Sequence, residues 1–588
     1  MELHLIGILL LALAAPALAD GEAPGGLQFV DVADSVGLGY THGYVDEMGS
    51  PVAIDDLGAG ENLFGGAAAG DYDGDGYVDL YAAVGNAGPN LLLRNVEGHF
   101  VVQEGRGLDL SGVILSGPVF ADLNGDGYLD ILVGVRGGLR VMLGSAGGVF
   151  QDFTDASGIV TRYTIAISSA FGDVDGDGDL DLAIGQWAGV TPANEDLNHF
   201  WRNQGAGRFV ADGSAAGLLI KSIVERGFRL FWSFTPNFAD VNGDGRSDLL
   251  FASDFGTSQV FLNLDGNRFV DATTESISDE NGMGAAVGDY DNDGDLDWFV
   301  TSITDPSGVA HPEWGASGNR LYRNRGDGTF DDATDSAGVR HGYWGWGACF
   351  ADFDNDGHLD IFHVNGRYGR EPDAKAAFFA KPSLLYHNDG KGHFEDVAQA
   401  AGVADPDEGR GVACFDFDRD GDIDIFVANI GQPPRLYRND SGGVGHFLSV
   451  KLLGRLPNSE AISARIEVAV DGLQQIREIR AGSNFMSQDP AEAHFGLGKS
   501  LAVDRLRIRW PDGRISELAD VPADQMLRIP QEGGDANCDR RFSAADLVAV
   551  IRSGAAIPET CANADLNGNG RLDSADLEST LVMPFGGN

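Results

Sequence analysis

The chain has 588 residues and a formal net charge of -49, with 89 acidic side chains against 40 basic ones. That length leaves room for several domains and a large core. That charge repels a phosphate backbone and excludes nucleic-acid binding as a role.

Residues 1–20 read as a secretory leader. An apolar run from Leu5 to Ala15 precedes Ala17-Leu18-Ala19, a small-x-small site, so cleavage after Ala19 is expected. The segment ahead of the run carries Glu2 and His4 but no Lys or Arg. An uncleaved anchor is the alternative, although the run is short for a span. No later stretch reads as a span, so the expected location is secreted, extracellular or cell-surface. Next, Leu27-Gln-Phe29-Val-Asp-Val-Ala-Asp-Ser-Val-Gly-Leu38 closely resembles Phe330-Asp-Asp-Ala-Thr-Asp-Ser-Ala-Gly-Val339 further along. It is expected to be a strand belonging to the last repeat.

Seven copies of D-x-[DN]-x-D-G-x-x-D follow, starting at residues 71, 122, 173, 240, 289, 352 and 416. The first offers Asp71, Asp73, Asp75 and Asp79 at positions 1, 3, 5 and 9, with the carbonyl of Tyr77 at position 7. The second offers Asp122, Asn124, Asp126, Tyr128 and Asp130. The third has Asp173, Asp175, Asp177, Asp179 and Asp181, and the fourth Asp240, Asn242, Asp244, Arg246 and Asp248. The fifth has Asp289, Asp291, Asp293, Asp295 and Asp297. The sixth has Asp352, Asp354, Asp356, His358 and Asp360, and the seventh Asp416, Asp418, Asp420, Asp422 and Asp424. Oxygens in this order can wrap one hard cation, and the Gly at position 6 permits the sharp turn that folds them inward. Calcium is the expected cofactor, about seven ions here, in a structural role. Extracellular calcium would fill such loops.

The loop starts are spaced 51, 51, 67, 49, 63 and 64 residues apart. A period near 50 with several short strands per unit predicts a β-propeller. Each unit begins with a strand of small residues, such as Gly65–Gly70, Met283–Gly288 or Gly345–Phe350. The loop comes next, then an apolar strand such as Val78–Val84 or Ile423–Ala428. A third strand ends in Asn, as at Asn95, Asn324 and Asn439. The fourth is marked by Phe100, Phe150, Phe209, Phe269, Phe330 or Phe394. Six internal Phe strands serve seven loops, so the N-terminal strand is expected to close a ring of seven blades. Cys349 and Cys414 precede the sixth and seventh loops; they either pair across neighbouring repeats or stay as two inert buried thiols.

Three units are longer between their second and third strands, at Gln186–Asn198, Thr301–Gly318 and Asn365–Pro382. The fourth has an added stretch, Leu218–Pro236, before its loop. These carry Trp187, His311, Trp314, Tyr368, Phe378, Phe379, Phe231 and Trp232. They form either a rim of aromatics that binds a sugar or protein, or ordinary loop packing.

The period stops near Gly445. Alternation in Phe447–Leu453, Ala464–Val470 and Arg505–Trp510, with turns at Asp471-Gly472 and Pro511–Gly513, predicts a small all-β domain. A linker, 531–534, leads to two matched loops 30 residues apart. The first holds Asp535, Asn537, Asp539, Arg541 (carbonyl), Ser543 and Asp546; the second holds Asp565, Asn567, Asn569, Arg571 (carbonyl), Asp573 and Asp576. Each runs into a short apolar helix, and up to two further calcium ions are expected. Arg540 stands where the first loop needs Gly, so the second site is expected to bind more tightly. Cys538 and Cys561 bracket this module and read as a disulfide in an oxidising compartment.

Three resemblances follow from these residues. The seven units, about residues 25–443, resemble FG-GAP/VCBS repeats such as those of integrin α-subunit propellers. Residues 446–530 resemble the ASPIC/UnbV domain of the cartilage acidic protein family, through Gln475, Ser487-Gln488, His494-Phe-Gly-Leu-Gly498 and Trp510-Pro-Asp-Gly513, with Ile462-Ser463-Ala464-Arg465 standing near that family's I-G-A-R. The end of the chain is similar to a type I dockerin, which implies a cohesin-like docking partner. The predicted architecture is therefore mainly β: a leader (1–19), a seven-bladed propeller (20–443), a small β domain (444–530), a linker (531–534) and a small α-helical dockerin-like calcium module (535–588).

No G-x-S-x-G, H-E-x-x-H or Cys/His nucleophile pattern occurs, and no catalytic residue is assigned. His494 is expected to fix the Phe-Gly-Leu-Gly turn, and Trp510 to be core. Two function classes remain. One is a calcium-stabilised adhesion protein that binds a glycan or an extracellular protein. The other is a carbohydrate-active enzyme, a polysaccharide lyase or hydrolase, tethered by its tail.

Overall fold

The computed structural model describes residues 23–46, 48–52, 63–161, 165–192, 197–305, 315, 317–366, 378, 380–441 and 445–531. The expected leader, the paired C-terminal loops with Cys538 and Cys561, and His311, Trp314, Tyr368 and Phe379 lie outside these residues.

The fold is mainly β and propeller-like. In the first unit, strands Ala67–Gly70, Asp79–Ala82, Leu91–Val96 and His99–Val102 pair antiparallel in that order. Small residues open the unit because the first strands crowd together: Ala67, Ala68 and Ala69 are fully buried. Every first strand contacts the next in chain order, and Gly409–Phe415 of the last unit contacts Ala67–Gly70 of the first. The last sheet takes its outer strand from the other end of the chain. Phe29–Asp31 pairs with Arg435–Asn439, Phe29 opposite Asn439, as the resemblance between the two Phe segments predicts. Separate apolar clusters fill the seams, such as Phe100 with Phe417 and Tyr290 with Phe394.

The added stretch of the fourth unit is not a loop. Phe228–Ala239 is one long strand that pairs with Asp181–Pro192 of the third unit and joins the two units in one nine-stranded sheet. Its alternation decides which aromatics reach the surface. Phe231 is fully buried against His199, which corrects its placement in the rim, whereas Trp232 on the other face is half-buried. Cys349 and Cys414 form a disulfide between the first strands of the sixth and seventh units.

Residues 446–530 build two further sheets. His446–Leu453 lies between Ala493–Gly498 and, in parallel, Gln525–Pro530. Arg465–Val470 lies between Leu473–Glu478 and Ala502–Arg509, with Ile515–Pro522 outside. Leu448, Val468, Phe495, Ile508 and Trp510 pack between them. Trp510 is core, its Nε1 donating to Ser516 Oγ at 2.8 Å.

One segment of this domain, 480–490, enters the space between the first strands. Ser487-Gln488 pairs in parallel with Ala67-Ala68 of unit one, and Gln488 holds both the N–H and the carbonyl of Phe120 in unit two, at 2.6 and 2.9 Å. Ser168 of unit three accepts the Met486 N–H, and Asn237 of unit four donates to the Ser483 carbonyl. Arg480 donates to Val287 in unit five, and Asn484 to Val412 in unit seven. Phe485 packs edge-on against Phe234 of unit four and tilted against Trp346 of unit six, with ring centroids 5.6 and 5.3 Å apart. Gly66, at φ +97°, makes room: a Cβ there would stand 1.7 Å from the Met486 carbonyl oxygen. Phe485→Ala removes a fully buried ring from this plug. It is expected to destabilise the protein by about 3–5 kcal/mol, read as a lower guanidinium midpoint.

Candidate metal centre and aromatic surface

All seven loops share one backbone arrangement. The position-1 carboxylate accepts the N–H of the position-6 glycine: Asp71 from Gly76, Asp122 from Gly127, Asp173 from Gly178, Asp240 from Gly245, Asp289 from Gly294, Asp352 from Gly357 and Asp416 from Gly421, at 2.8–3.1 Å. The position-5 carboxylates of Asp75, Asp126, Asp177, Asp244, Asp293, Asp356 and Asp420 accept the N–H of position 7. The loops are thereby curled with their acidic side chains converging. Carboxylate oxygens of Asp71, Asp73 and Asp79 lie within 4.8 Å of one another, as do those of Asp173, Asp175 and Asp177, of Asp289, Asp291 and Asp297, and of Asp416, Asp418 and Asp424. The second and fourth loops carry Asn124 and Asn242 at position 3 and so have one carboxylate fewer.

Position 9 does more than its place in the motif suggests. One oxygen of Asp79 accepts the N–H of Tyr72, and the other accepts the N–H of Asn95, at 3.2 and 2.7 Å. Asp248, Asp297, Asp360 and Asp424 repeat both bonds. Burial, reinforced by neighbouring loop carboxylates, pushes Asp79 up to about 9 and Asp130 and Asp248 up to about 8, although the bonds to backbone N–H oppose this. Seven such clusters strongly disfavour their own charge unless a cation is added.

Several buried carboxylate oxygens also lack any hydrogen-bond donor: Oδ1 of Asp71, Asp291, Asp354 and Asp418. An orphaned buried anion oxygen is costly. Inside a curled loop of hard oxygen donors, it is the arrangement that a bound Ca²⁺ satisfies. The residues present therefore fit the expected cation.

The Asn that ends each third strand has a role its position in the motif does not reveal. The Asn95 amide donates to Val78 in its own unit and to the carbonyl of Phe417, in the seventh loop, at 2.8 Å. Asn203 reaches Leu123, Asn263 reaches Val174, Asn324 reaches Val241, Asn388 reaches Tyr290 and Asn439 reaches Phe353. Each amide thus staples its unit to position 2 of the preceding unit's loop. Unit two has Gly144 there and lacks the staple.

The second domain covers the loop face. Arg528 pairs with Asp71 and Arg509 with Asp240, at 3.2 and 2.5 Å. Arg465 donates to the Gly294 carbonyl. His494 Nε2 donates to the Gly421 carbonyl at 3.0 Å, and burial lowers its pKa to about 4. His494 therefore ties the Phe-Gly-Leu-Gly turn to the seventh loop.

At the opposite ends of the strands lies an aromatic chain. Trp187 packs on Trp232 at 5.2 Å and on Phe234 at 5.8 Å, and Trp232 on Phe255 at 5.0 Å. Phe234 continues to Trp346, which stacks on Trp344, and Trp344 meets Phe378. Phe255 is 43% exposed, and Trp187 and Trp232 are half-buried. Asp254 accepts the Trp187 Nε1 proton at 3.0 Å. Of the insertion aromatics, Trp187, Trp232 and Phe378 thus join this chain; Phe234 lies in the same added stretch as Trp232 but is not among the aromatics singled out from it, and Phe255, Trp344 and Trp346 lie outside the insertions and give no separate signal.

Comparison with known families agrees with the repeat and the second domain. FG-GAP-like repeats match residues 71–133, 122–184, 240–300, 309–363 and 377–427, and an ASPIC and UnbV domain matches 454–536. The chain therefore carries FG-GAP repeats followed by an ASPIC/UnbV domain. It is homologous to cartilage acidic protein 1. The Xenopus tropicalis protein of that name is 25% identical over 548 residues, 81% of this chain and 76% of that protein. The human one is 26% identical over 418 residues, 60% of this chain and 61% of that protein. Among solved structures, an Agrocybe aegerita lectin that recognises non-reducing terminal N-acetylglucosamine aligns with 21% identity and a TM-score of 0.34, covering 56% of this chain and 79% of its own. A Bacillus licheniformis rhamnogalacturonan lyase aligns with 12% identity and a TM-score of 0.29, covering 79% and 91%. Neither score carries a fold or an activity across. Among the described residues no helix is long and apolar enough to cross a membrane.

Asn324→Ala leaves the carbonyls of Val241 and Leu296 without their donor. It is expected to cost about 2–4 kcal/mol, measured by urea unfolding in calcium. A change below about 0.5 kcal/mol would show that the staple contributes nothing.

Proposed function

We propose that the protein is a secreted, calcium-stabilised seven-bladed propeller that binds a glycan through the aromatic surface on the side away from its ASPIC/UnbV domain. The calcium reading rests on the buried, donorless oxygens of Asp71, Asp291 and Asp418 within curled acidic loops. A ring of seven blades is supported by the N-terminal strand pairing with the last sheet and by the Asn95 bond from the first unit to the seventh loop. Calcium here is structural: a cation in each loop neutralises the carboxylates beside the Asn staples and adds stability by mass action.

The binding reading rests on Trp187, Trp232 and Phe255. Two half-buried indoles and an exposed phenyl ring offer flat apolar faces of the kind on which a sugar ring stacks, and Trp232 Nε1 is a buried donor with no acceptor among the described residues. The loop side is occupied by the second domain, so among the described residues the uncovered face is the one that carries these rings.

Two measurements test this. Dialysis against EGTA should lower the melting temperature by 10 °C or more, about 10 kcal/mol for a cooperative unit of this size, with metal content followed by mass spectrometry. Unchanged melting of metal-free protein would rule out the calcium reading. On a glycan array, Trp232→Ala should lose the wild-type signal while its calcium-loaded melting temperature stays within a few degrees. Release of unsaturated product, followed by ultraviolet absorbance, would instead make the protein a lyase. A protein ligand in place of a glycan would leave the array blank.

A further inference from the structure

The residue just before the stapling position pairs with the acidic loop of its own unit in three units, through Arg94, Arg202 and Arg323. It is Arg94, Arg202, Arg323 or Arg438 in four units and leucine in two. Arg94 lies 2.6 Å from Asp73 and 2.8 Å from Asp75, and Arg323 lies 2.6 Å from Asp291 and 2.8 Å from Asp293. A guanidinium neutralises such a site but has no lone pair to give.

The sixth unit departs from this pattern with His387. Its Nε2 stands 3.0 Å from Asp354 Oδ2. That nitrogen and carboxylate oxygens of Asp354 and Asp356 all lie within 4.8 Å of one another. Asp354 is 4% exposed, and its Oδ1 has no hydrogen-bond donor. An imidazole, which has a lone pair to give, thus stands beside an unsatisfied buried carboxylate where four other units carry a permanent cation. The N-terminal turn Pro24–Gly26 closes over the group. Gly25 has φ +70°, and a Cβ on it would lie 2.1 Å from Asp354 Oδ2 and 3.1 Å from His387 Nε2. Any larger residue would collide with both ligands.

We propose that Asp354, Asp356 and His387 hold a borderline divalent transition-metal ion of the Zn²⁺ class, which makes the sixth loop chemically unlike the other six. One imidazole with two carboxylates suits Zn²⁺, Mn²⁺ or Co²⁺, whereas Ca²⁺ takes oxygen alone. This extends the reading of the loops as cation sites, because Asp354 and Asp356 belong to the sixth loop, but it does not need calcium in the others.

The test uses untagged full-length protein, stripped with chelator, reloaded with saturating Ca²⁺, exposed to Zn²⁺ and desalted. Both metals are then counted by mass spectrometry. Wild type should retain about one Zn²⁺ per chain and the His387→Arg variant less than about a tenth of that, with equal calcium in both. Asp418→Asn, in the seventh loop, should keep its zinc. If His387→Arg fails to fold by circular dichroism, His387→Gln takes its place. The visible ligand-field spectrum of Co²⁺-loaded wild type should show a nitrogen-ligated band that the Gln variant lacks. Zinc absent from calcium-loaded wild type, retained equally by the His387 variants or lost with Asp418→Asn would overturn the proposal. Zinc bound and lost as expected, with no calcium anywhere, would overturn the calcium reading and leave this site standing.

Discussion

Each repeat drives one carboxylate, that of Asp79 or its equivalent, into a place almost free of water. In most units it alone receives the N–H of the loop's second residue on one oxygen and the N–H of the stapling position on the other. The loop, the third strand and the seam with the preceding unit are all located by that group. Desolvation of the anion is the cost, seen in the upward shift of Asp79, and the loop's converging acids increase it. A fold organised around buried anions needs countercharge close by. The structure provides arginines at Arg94, Arg202 and Arg323, arginines from the second domain at Asp71 and Asp240, and oxygens arranged for a cation.

The second domain therefore does two jobs. Its strands bring Arg528, Arg509, Arg465 and His494 onto the loops, and its segment 480–490 reaches six of the seven first strands by hydrogen bonds and the remaining one through Phe485 against Trp346. The apolar cluster around Leu448 and Val468 continues into Leu132 and Trp201 of the repeats without a break. The two parts share one core, so the ring of repeats and its cover are expected to unfold together.

What was legible in the sequence is what is encoded locally. Loop positions 1 to 9 fit within nine residues, so the curl of Asp71 to Asp79 could be read directly. The two Phe segments share Phe, two Asp, Ser and Gly at the same spacing, so the pairing of Phe29 with Asn439 could be read as well. The staples could not: the acceptor for Asn203 is 80 residues away, in another repeat, and the amide needs only a carbonyl, which every residue has. The plug was hidden for the same reason, since Ser487 meets Ala67 from 420 residues away. Phe231 and Trp232 were read alike because a stretch taken for a loop has no faces. Once Phe228–Ala239 is a strand, they must point opposite ways.

Gly144 gives the ring an asymmetry. Between units one and two no asparagine amide bridges the seam, and it is there that consecutive residues of the second domain grip one side each, Ser487 on Ala67 and Gln488 on Phe120. The domain thus acts as a clasp across the one joint that has no asparagine staple among the described residues. A chain synthesised from its N-terminus completes all its repeats before the clasp exists, so until residue 488 has been made this seam is held by backbone bonds such as Gly65 to Leu115 and by the apolar cluster around Phe120 alone.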